Sequence, residues 1–555
     1  MLLRFRAALC ILAAVAGGPV LGAEPVDLEM VTRIRHEGFR NSRVMETAAA
    51  LTDSIGSRLT GSPNMKRASE WTREKLAEWG LANAHLESWG PFGRGWSYDA
   101  ASVRMLAPAT APLVAIPKAW TPGTNGPVRG PAVKLKLESE ADLREQRGKL
   151  AGRIVLLGEP KELKTHDKPQ AERYDEKGLE ELYRYEPRER REFDRAEFAR
   201  RRAFRKPLAE FLAAEKVLAI LEPGAGGDGG TFDVQGSGFY RKDDPTGVPT
   251  LVVAAEHYGR VSRLLDAKRG VELEVDVRAR YHDEDAMGYN TVAEIPGTDR
   301  GGEVVMLGAH LDSWHGGTGA TDNAAGVAAI MEAARILKEL GVRPRRTIRV
   351  ALWSGEEQGL YGSRAYVSRH FASRPEPKDP REREQPYFLR RETGPLTRKP
   401  GHAKLSAYFN MDNGTGKIRG IYAQENAAVV PIFEAWLQPL KDLGATTVTM
   451  RTTSGTDHTS FDAVGLPGFQ FVQDDVEYSS RSHHSNADLY ERLQSEDLMQ
   501  ASVVIATFAY HAAMRDRMLP RKPMPRSEPP APRDGPDNAR PAGASQKPPS
   551  PPASR

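Results

Sequence analysis

Cysteine is almost missing from this chain: one occurs in 555 residues, and it is Cys10, inside an apolar leader. The body of the chain therefore offers no disulfide framework, no thiolate metal site and no cysteine nucleophile. Long apolar runs are missing too, and past the leader no stretch is long enough for a transmembrane helix. Charge of one sign is the third absence: 78 Lys and Arg face 74 Asp and Glu, a formal net of +4. That balance removes the electrostatic case for nucleic acid as the main partner. What remains is a chain with 39% apolar residues, enough for real cores, and a length that calls for two or three domains.

The leader, MLLRFRAALCILAAVAGGPVLGA, sets Arg4 and Arg6 before an apolar stretch and ends in small residues at Ala23. This is the layout of a secretory signal peptide over 1–23, and Leu9 before Cys10 argues against a lipoprotein cleavage site. The expectation is a secreted or periplasmic protein of a bacterial envelope, cysteine-free after cleavage and not stably inserted in a membrane. The other end, 517–555, is Pro-rich and poor in apolar residues, which predicts disorder.

Between these ends the pattern changes twice. Residues 24–100 read as helical to about Gly95, with apolar residues three and four apart in SRVMETAAALTDSIGSRLTGS and MKRASEWTREKLAEWG. Residues 101–285 read as a β-rich domain of short runs such as RIVLLG, KVLAILEPG and VELEVDVRARY. Within it, 160–206 is crowded with interleaved Glu, Arg and Lys and is expected to be a solvated helical excursion. The glycine cluster GAGGDGG lacks the spacing of a phosphate loop and reads as a plain loop. From 286 to 516, strands and helices alternate: EVVMLGA, then a helix over 322–340, TIRVALWS, YGSRAYVSRH, LSAYFNMD, VVPIFEAWLQPLKDLG, GFQFV and a last helix near 494–515. The fold class is thus α/β, a mostly parallel (mixed) sheet flanked by helices and interrupted by a β-rich domain.

In an open α/β sheet, functional groups gather beyond the carboxyl ends of the strands. There this sequence sets His310 and Asp312, with Asp322 at the start of the following helix, then Glu356 and Glu357, then Asp412, and finally His483, His484 and Asp488 in SHHSNAD. Singly each is weak, since a helix-start Asp is usually a cap and a Glu pair is usually solvated. Together, four strand ends of one sheet present imidazole or carboxylate and no thiol. That donor set suits zinc or a similar divalent ion, and it holds more donors than one tetrahedral catalytic site needs, which points to two ions. Asp322, central in the set, is best placed to bridge them, and two ions about 3.5–4 Å apart can activate one water. Neighbouring side chains in an extended segment point opposite ways. One glutamate can then bind metal while the other takes a proton; position alone does not say which.

The run GAHLDSW, GATDNAAG, LWSGEEQGLYGS, NMDNG and HHSNADLYERL resembles the co-catalytic di-zinc exopeptidases, which include secreted bacterial aminopeptidases and plasma glutamate carboxypeptidase (carboxypeptidase Q). The match covers about 25–100 and 286–515. GKLAGRIVLLG and GVPTLVVAAEHYGRVSRLL look like the protease-associated domain that interrupts the peptidase in part of this family. The resemblance implies two zinc ions per chain and a peptide or dipeptide substrate. It implies that Asp322 bridges, that His310 and Asp412 complete one metal, and that Glu357 and His484 complete the other. His484 rather than His483 follows from its place four residues before Asp488. Glu356 becomes the general base, Asp312 orients His310 through the far ring nitrogen, and a cis peptide joins Asp322 to Asn323. In this picture the glycines at 316, 317 and 319 turn the chain tightly beside the metals.

The sequence also departs from the family. A Tyr that stabilises the oxyanion in some members is replaced here by Ser454 in TTSGTDHTS, leaving His458 and Tyr478 as candidates. His315 is either a substrate contact or a solvent-facing turn residue. Glu425, Asp457, Arg419 and Arg481 are candidates for reading a free amine or carboxylate of the substrate, so aminopeptidase, carboxypeptidase and dipeptidase all stay open. A homodimer also stays open. Two other classes compete with the exopeptidase: a single-zinc glutaminyl cyclase on the same fold, and a non-catalytic binding protein, which predicts eroded ligands where this set is intact.

Overall fold

The computed structural model describes residues 24–185, 194–379, 390 and 394–524. The expected signal peptide and nearly all of the Pro-rich tail lie outside the described residues. Both sheets below belong to one unit that ends at Pro523.

The strands Val304–His310, Leu405–Asn410 and Gly468–Gln473 are buried at every position, as strands covered on both faces must be. With Thr347–Trp353 they form the parallel centre of an eight-stranded mixed sheet. Its spatial order is Ala82–Trp89, Gly288–Ile295, Thr347–Trp353, Val304–His310, Leu405–Asn410, Gly468–Gln473, Ile418–Tyr422, Thr447–Thr449. The first two strands, and the contact of Ile418–Tyr422 with Gly468–Gln473, are antiparallel. One face carries the helices Ala325–Glu339 and Ser495–Met514, both apolar nearly all round and both buried. Phe409 stands in the middle of that face, ringed by Phe433, Phe469, Phe471 and Phe508 at 5.8–6.1 Å between centroids. On the other face, Tyr408 stacks on Phe461 of the short helix His458–Asp462, beside Trp353 and helix Tyr361–His370.

A second eight-stranded sheet runs Ala111–Leu113, Gly95–Ala107, Glu272–His282, Val128–Leu135, Ile154–Leu157, Ala219–Pro223, Thr250–Val253, Ala115–Pro117. It is antiparallel at both edges and parallel from Val128–Leu135 to Thr250–Val253. Tyr258 and Val261 of helix Ala255–Asp266 pack on one face, and Leu212 of helix Arg195–Ala214 on the other. The chain leaves the first sheet after Trp89 and returns at Gly288, two residues paired directly across neighbouring strands. Gly288–Ile295 is antiparallel to Thr347–Trp353, with Thr291 opposite Leu352. The second sheet therefore grows from the same end of the first at which the parallel strands terminate.

Two expectations need correction. The helical reading from Pro25 to Gly95 fails over Ala82–Trp89, an edge strand; its residues carry no strong alternation, and pairing with Gly288–Ile295 decides the outcome. The charged excursion over 160–206 is not simply solvated. Tyr174 donates its N–H to Asp474 at 2.9 Å, Arg173 reaches Asp474 and Asp497 at 3.1 and 2.7 Å, and Val476 N donates to the Glu172 carbonyl at 2.8 Å. Interleaved charge here meets carboxylates on another part of the chain. Residues 186–193 of this stretch lie outside the described residues. Among those described, no helix is long and apolar enough to cross a membrane.

The described N-terminal residues are tied to the last helix. Asp27 caps helix Leu28–Arg40 by accepting from Met30 N at 2.9 Å, and it also accepts from the Tyr510 hydroxyl at 2.7 Å. Its own N–H donates to His511 Nε2 at 3.1 Å, while His511 Nδ1 donates to the Thr507 carbonyl at 2.8 Å. Both ring nitrogens are thus used in the neutral form. Burial, the largest influence, holds the imidazole below its usual range despite the Thr507 carbonyl and the nearby Asp27 and Glu24 carboxylates. Above the unfolded histidine pKa of about 6.5 the bond contributes fully. As pH falls below that value the unfolded chain takes the proton more readily, and stability is lost. His511→Gln is expected to lower the thermal midpoint at pH 7 and to flatten its decline between about pH 7 and 5.5. An unchanged slope in the variant would remove His511 as the source.

Candidate metal centre

Each group expected at the site sits just past a strand that the core fixes. His310 ends Val304–His310, Glu356 and Glu357 follow Thr347–Trp353 after a left-handed Gly355, and Asp412 follows Leu405–Asn410. Asp322 lies in the irregular turn Ala320–Ala324 that precedes helix Ala325–Glu339, with a cis peptide to Asn323. That turn is cramped. A Cβ on Gly317 would lie 2.4 Å from the Asp488 carbonyl, and Gly319 has φ +66° with Ser313 and Arg58 against it.

The donors converge. His310 Nε2 is 3.2 Å from an oxygen of Asp322 and 3.2 Å from an oxygen of Asp412. His484 Nε2 is 3.3 Å from the other oxygen of Asp322 and 3.0 Å from Glu357. Asp322 thus stands between two groups, His310 with Asp412 and His484 with Glu357. His483 is farther, 3.9 Å from Asp322 and 45% exposed, and stacks on the His484 ring at 3.7 Å. Asp322 Oδ2 and Glu357 Oε1 are buried without a hydrogen bond among the described residues.

Supporting bonds hold this arrangement from behind. The nitrogen of His310 that faces away from the cluster is 3.0 Å from the Asp312 main-chain carbonyl, so a different atom of Asp312 stands where its carboxylate was expected. The carboxylate is 3.7 Å off and instead accepts from the N–H groups of Glu356 and Glu357 and from the Thr60 hydroxyl. Asp488 accepts from the N–H and hydroxyl of Thr321 at 2.6 and 2.7 Å and from Asp322 N at 3.2 Å. Arg58, fully buried, donates to the carbonyls of Leu311, Thr318 and Gly319 at 2.7–2.8 Å, fixing both ends of the glycine turn. Burial draws its guanidinium down to about 10 against the pull of Asp488, Asp312, Asp322 and Glu357.

So much buried acid is electrostatically expensive. Burial, then neighbours including Asp412, push Glu356 well above the carboxylate range, and burial with Asp322 does the same to Glu357. Burial raises Asp457 and Asp488 to about 7. Burial disfavours a charged His310, yet Asp412 and Glu356 hold it well above its usual range. Crowded oxygen and imidazole donors, two of them orphaned, with more acid than buried cation, are the chemistry of a divalent-cation site. Zinc fits this nitrogen and oxygen set.

The remaining candidates separate. Tyr478 lies against the cluster, its ring 4.9 Å from His483, and burial followed by Asp322 keeps its hydroxyl protonated far above the usual range. His458 is fully buried, with Nε2 on the Thr453 carbonyl at 3.1 Å. Ser454 is exposed. His315 is neither exposed nor a cleft residue. It bonds the Pro117 carbonyl at 2.7 Å and lies edge-on to Trp96, a wedge between the two sheets. Of the groups considered for reading a substrate end, Asp457 is buried beside the cluster, while Arg419 is engaged by Asp474, Arg481 by Gln170, and Glu425 by Tyr185. Two residues carried no signal in the sequence. One is Arg58, a lone arginine in a helical run. The other is Gln235 of the second sheet's loops, whose amide lies 2.8 Å from His484 Nδ1.

Residues 290–509 match peptidase family M28. Carboxypeptidase Q of Bos taurus is 29% identical over 486 residues, 87% of this chain and 88% of that protein. Among solved structures, a peptidase M28 precursor from Shewanella amazonensis shares the fold at a TM-score of 0.62 and 23% identity, over 90% of this chain and 98% of its own. A zinc aminopeptidase from Bacillus subtilis does so at 0.51 and 16%, over 85% and 95%. Fold and donor set together define a zinc-dependent peptide hydrolase of the exopeptidase class. It is the donor-bearing segment, residues 290–509, that matches this family.

Because Arg58 is the buried cation that faces the acids and clamps the glycine turn, Arg58→Leu is expected to cost about 3–5 kcal/mol of folding stability. Denaturant unfolding with metal chelated measures it; a loss under about 1 kcal/mol would mean that the turn holds without the clamp.

Proposed function

We propose that this chain is a secreted di-zinc exopeptidase that releases one residue from dipeptides or short peptides. The observation that carries the reading is that two imidazoles meet Asp322, one at each of its oxygens, and that each imidazole also meets a second carboxylate, Asp412 or Glu357. His310, Asp412 and Asp322 would hold one zinc, and His484, Glu357 and Asp322 the other. Bound zinc supplies Lewis acidity and a water acidic enough to attack at neutral pH.

The chain's own residues do the rest. Glu356 takes the proton from the attacking water on a carboxylate oxygen and returns it to the leaving amine. Asp312, by accepting from both glutamate N–H groups, fixes their main chain so that neighbouring side chains diverge, one to metal and one to substrate. Tyr478 keeps its proton and is the donor best placed for the oxyanion. Whole-length similarity to a carboxypeptidase favours the C-terminal end, because the aminopeptidase likeness, at 16% identity, speaks to fold alone. The leader supports export to the periplasm or medium, and the second sheet is assigned as a protease-associated domain covering the strand ends.

Glu356→Gln is expected to lower kcat about 10²–10⁴-fold with zinc content unchanged; a near-normal rate would remove Glu356 as base. Dipeptides offered free, N-blocked and C-blocked, with and without chelator, test the end that is read. Chelator-sensitive cleavage lost on C-blocking supports the carboxypeptidase reading, and loss on N-blocking alone makes the chain an aminopeptidase. Loss on both makes it a dipeptidase. No cleavage with zinc bound returns the cyclase or the binding protein.

A further inference from the structure

The segment around His484 is stitched to the second sheet's loops as well as to its own domain. Val234 N donates to the His484 carbonyl at 3.0 Å, Asn486 N to the Phe232 carbonyl at 3.1 Å, and Phe232 N to the Asn486 side chain at 2.9 Å. The Asn486 amide in turn donates to the Gly230 carbonyl at 2.9 Å. These bonds hold His484 at φ +59°, a left-handed conformation that a non-glycine residue adopts only where its surroundings impose it. The same register delivers Gln235. Its carboxamide lies 2.8 Å from His484 Nδ1, the ring nitrogen opposite the one that faces Asp322 and Glu357.

A histidine that gives its Nε2 lone pair to a metal must carry its proton on Nδ1, and that N–H needs an acceptor. The oxygen and nitrogen of a carboxamide are told apart by their partners, and a half-turn of the amide exchanges them. The structure turns Gln235 Nε2 towards Nδ1; with Nδ1 protonated, a half-turn of the carboxamide brings Oε1 to face it. Asp312 performs the same service for His310, through its main-chain carbonyl at 3.0 Å. The two imidazoles are therefore oriented by different parts of the chain, one from within the catalytic sheet and one from the inserted sheet.

We propose that Gln235 is a positioning residue of the metal centre: as acceptor for His484 Nδ1–H it fixes the tautomer and direction of that ring, so that the inserted domain supplies part of the zinc site. The inference rests on His484 being a ligand. The experiment uses the full-length, zinc-loaded protein and measures the dissociation constant of each zinc by competition with a chromophoric chelator. It also records the visible spectrum after cobalt substitution and the thermal midpoint of the metal-free protein. His484→Ala is the control and is expected to bind one zinc fewer. Gln235→Leu is expected to bind two zincs, with one dissociation constant raised about 10–100-fold, an altered cobalt spectrum and an unchanged metal-free midpoint. Gln235→Glu, which keeps an acceptor, restores wild-type affinity or exceeds it. Wild-type constants in Gln235→Leu, with one zinc lost in His484→Ala, would overturn the proposal and leave the di-zinc reading standing. An unchanged zinc count in His484→Ala would overturn both. Equal weakening in the Leu and Glu variants, with a lowered metal-free midpoint in each, would make Gln235 merely structural and overturn the proposal.

Discussion

A carboxylate taken out of water needs positive charge beside it, and the end of this sheet gathers Asp312, Asp322, Glu356, Glu357, Asp412, Asp457 and Asp488 around two imidazoles and one buried guanidinium. Neutralising some of them is one solution, and burial pushes the two glutamates, Asp457 and Asp488 in that direction. Binding divalent ions is the other solution, and it makes the acids useful. Much else serves this choice. The all-buried strands fix where each donor starts, the glycine turn brings Asp322 back beneath them, and Arg58 closes the turn by its carbonyls while adding one fixed charge. Asp488 and Asp312 accept from the main-chain N–H groups of Thr321, Asp322, Glu356 and Glu357, which ties the donor-bearing turns together.

The division of labour within the glutamate pair follows from the same constraint. Both N–H groups point at the Asp312 carboxylate. With the main chain fixed there, Glu357 reaches His484. Glu356 has His310, Asp412 and Asp457 as its strongest electrostatic neighbours. In the proposed mechanism Glu356 would hold a proton briefly and release it, and burial, which favours its neutral acid, raises its pKa above the usual carboxylate range.

The parts legible in the sequence were those encoded locally. Apolar runs such as VVMLGA mark a central strand, and polar residues directly after such a run can only stand at its carboxyl end; that is why His310, Glu356, Glu357 and Asp412 were found without coordinates. Residues whose role depends on a distant partner were invisible. Arg58 meets Leu311 across 253 positions and Gln235 meets His484 across 249, and neither lies in a pattern that distinguishes it from a surface residue. Ala82–Trp89 is a strand because an edge was available to pair with it. His315 was misjudged because a turn beside an active site is ordinarily wet, whereas this one is roofed by Trp96 and Pro117. The charged excursion was misjudged for a related reason: Asp474 and Asp497, which receive Arg173, are about three hundred residues away in sequence.

The roof over that turn follows from topology. An insertion between Trp89 and Gly288 emerges where the antiparallel strand Gly288–Ile295 begins, level with the end of Thr347–Trp353. Had the same domain been inserted at the other end of that strand, after Ile295, it would have emerged beside the starts of the parallel strands, away from the donors. Placed where it is, its loop at 230–235 meets the segment around His484 and walls the strand ends on that side. The contacts at 230–235 go further than a wall requires. A wall alone would need shape only, but main-chain bonds on either side of His484, together with a side chain on its ring, tie the inserted domain to that residue. A displacement of that loop would carry His484 with it, so the inserted domain and the proposed metal site are coupled through a few residues of one loop.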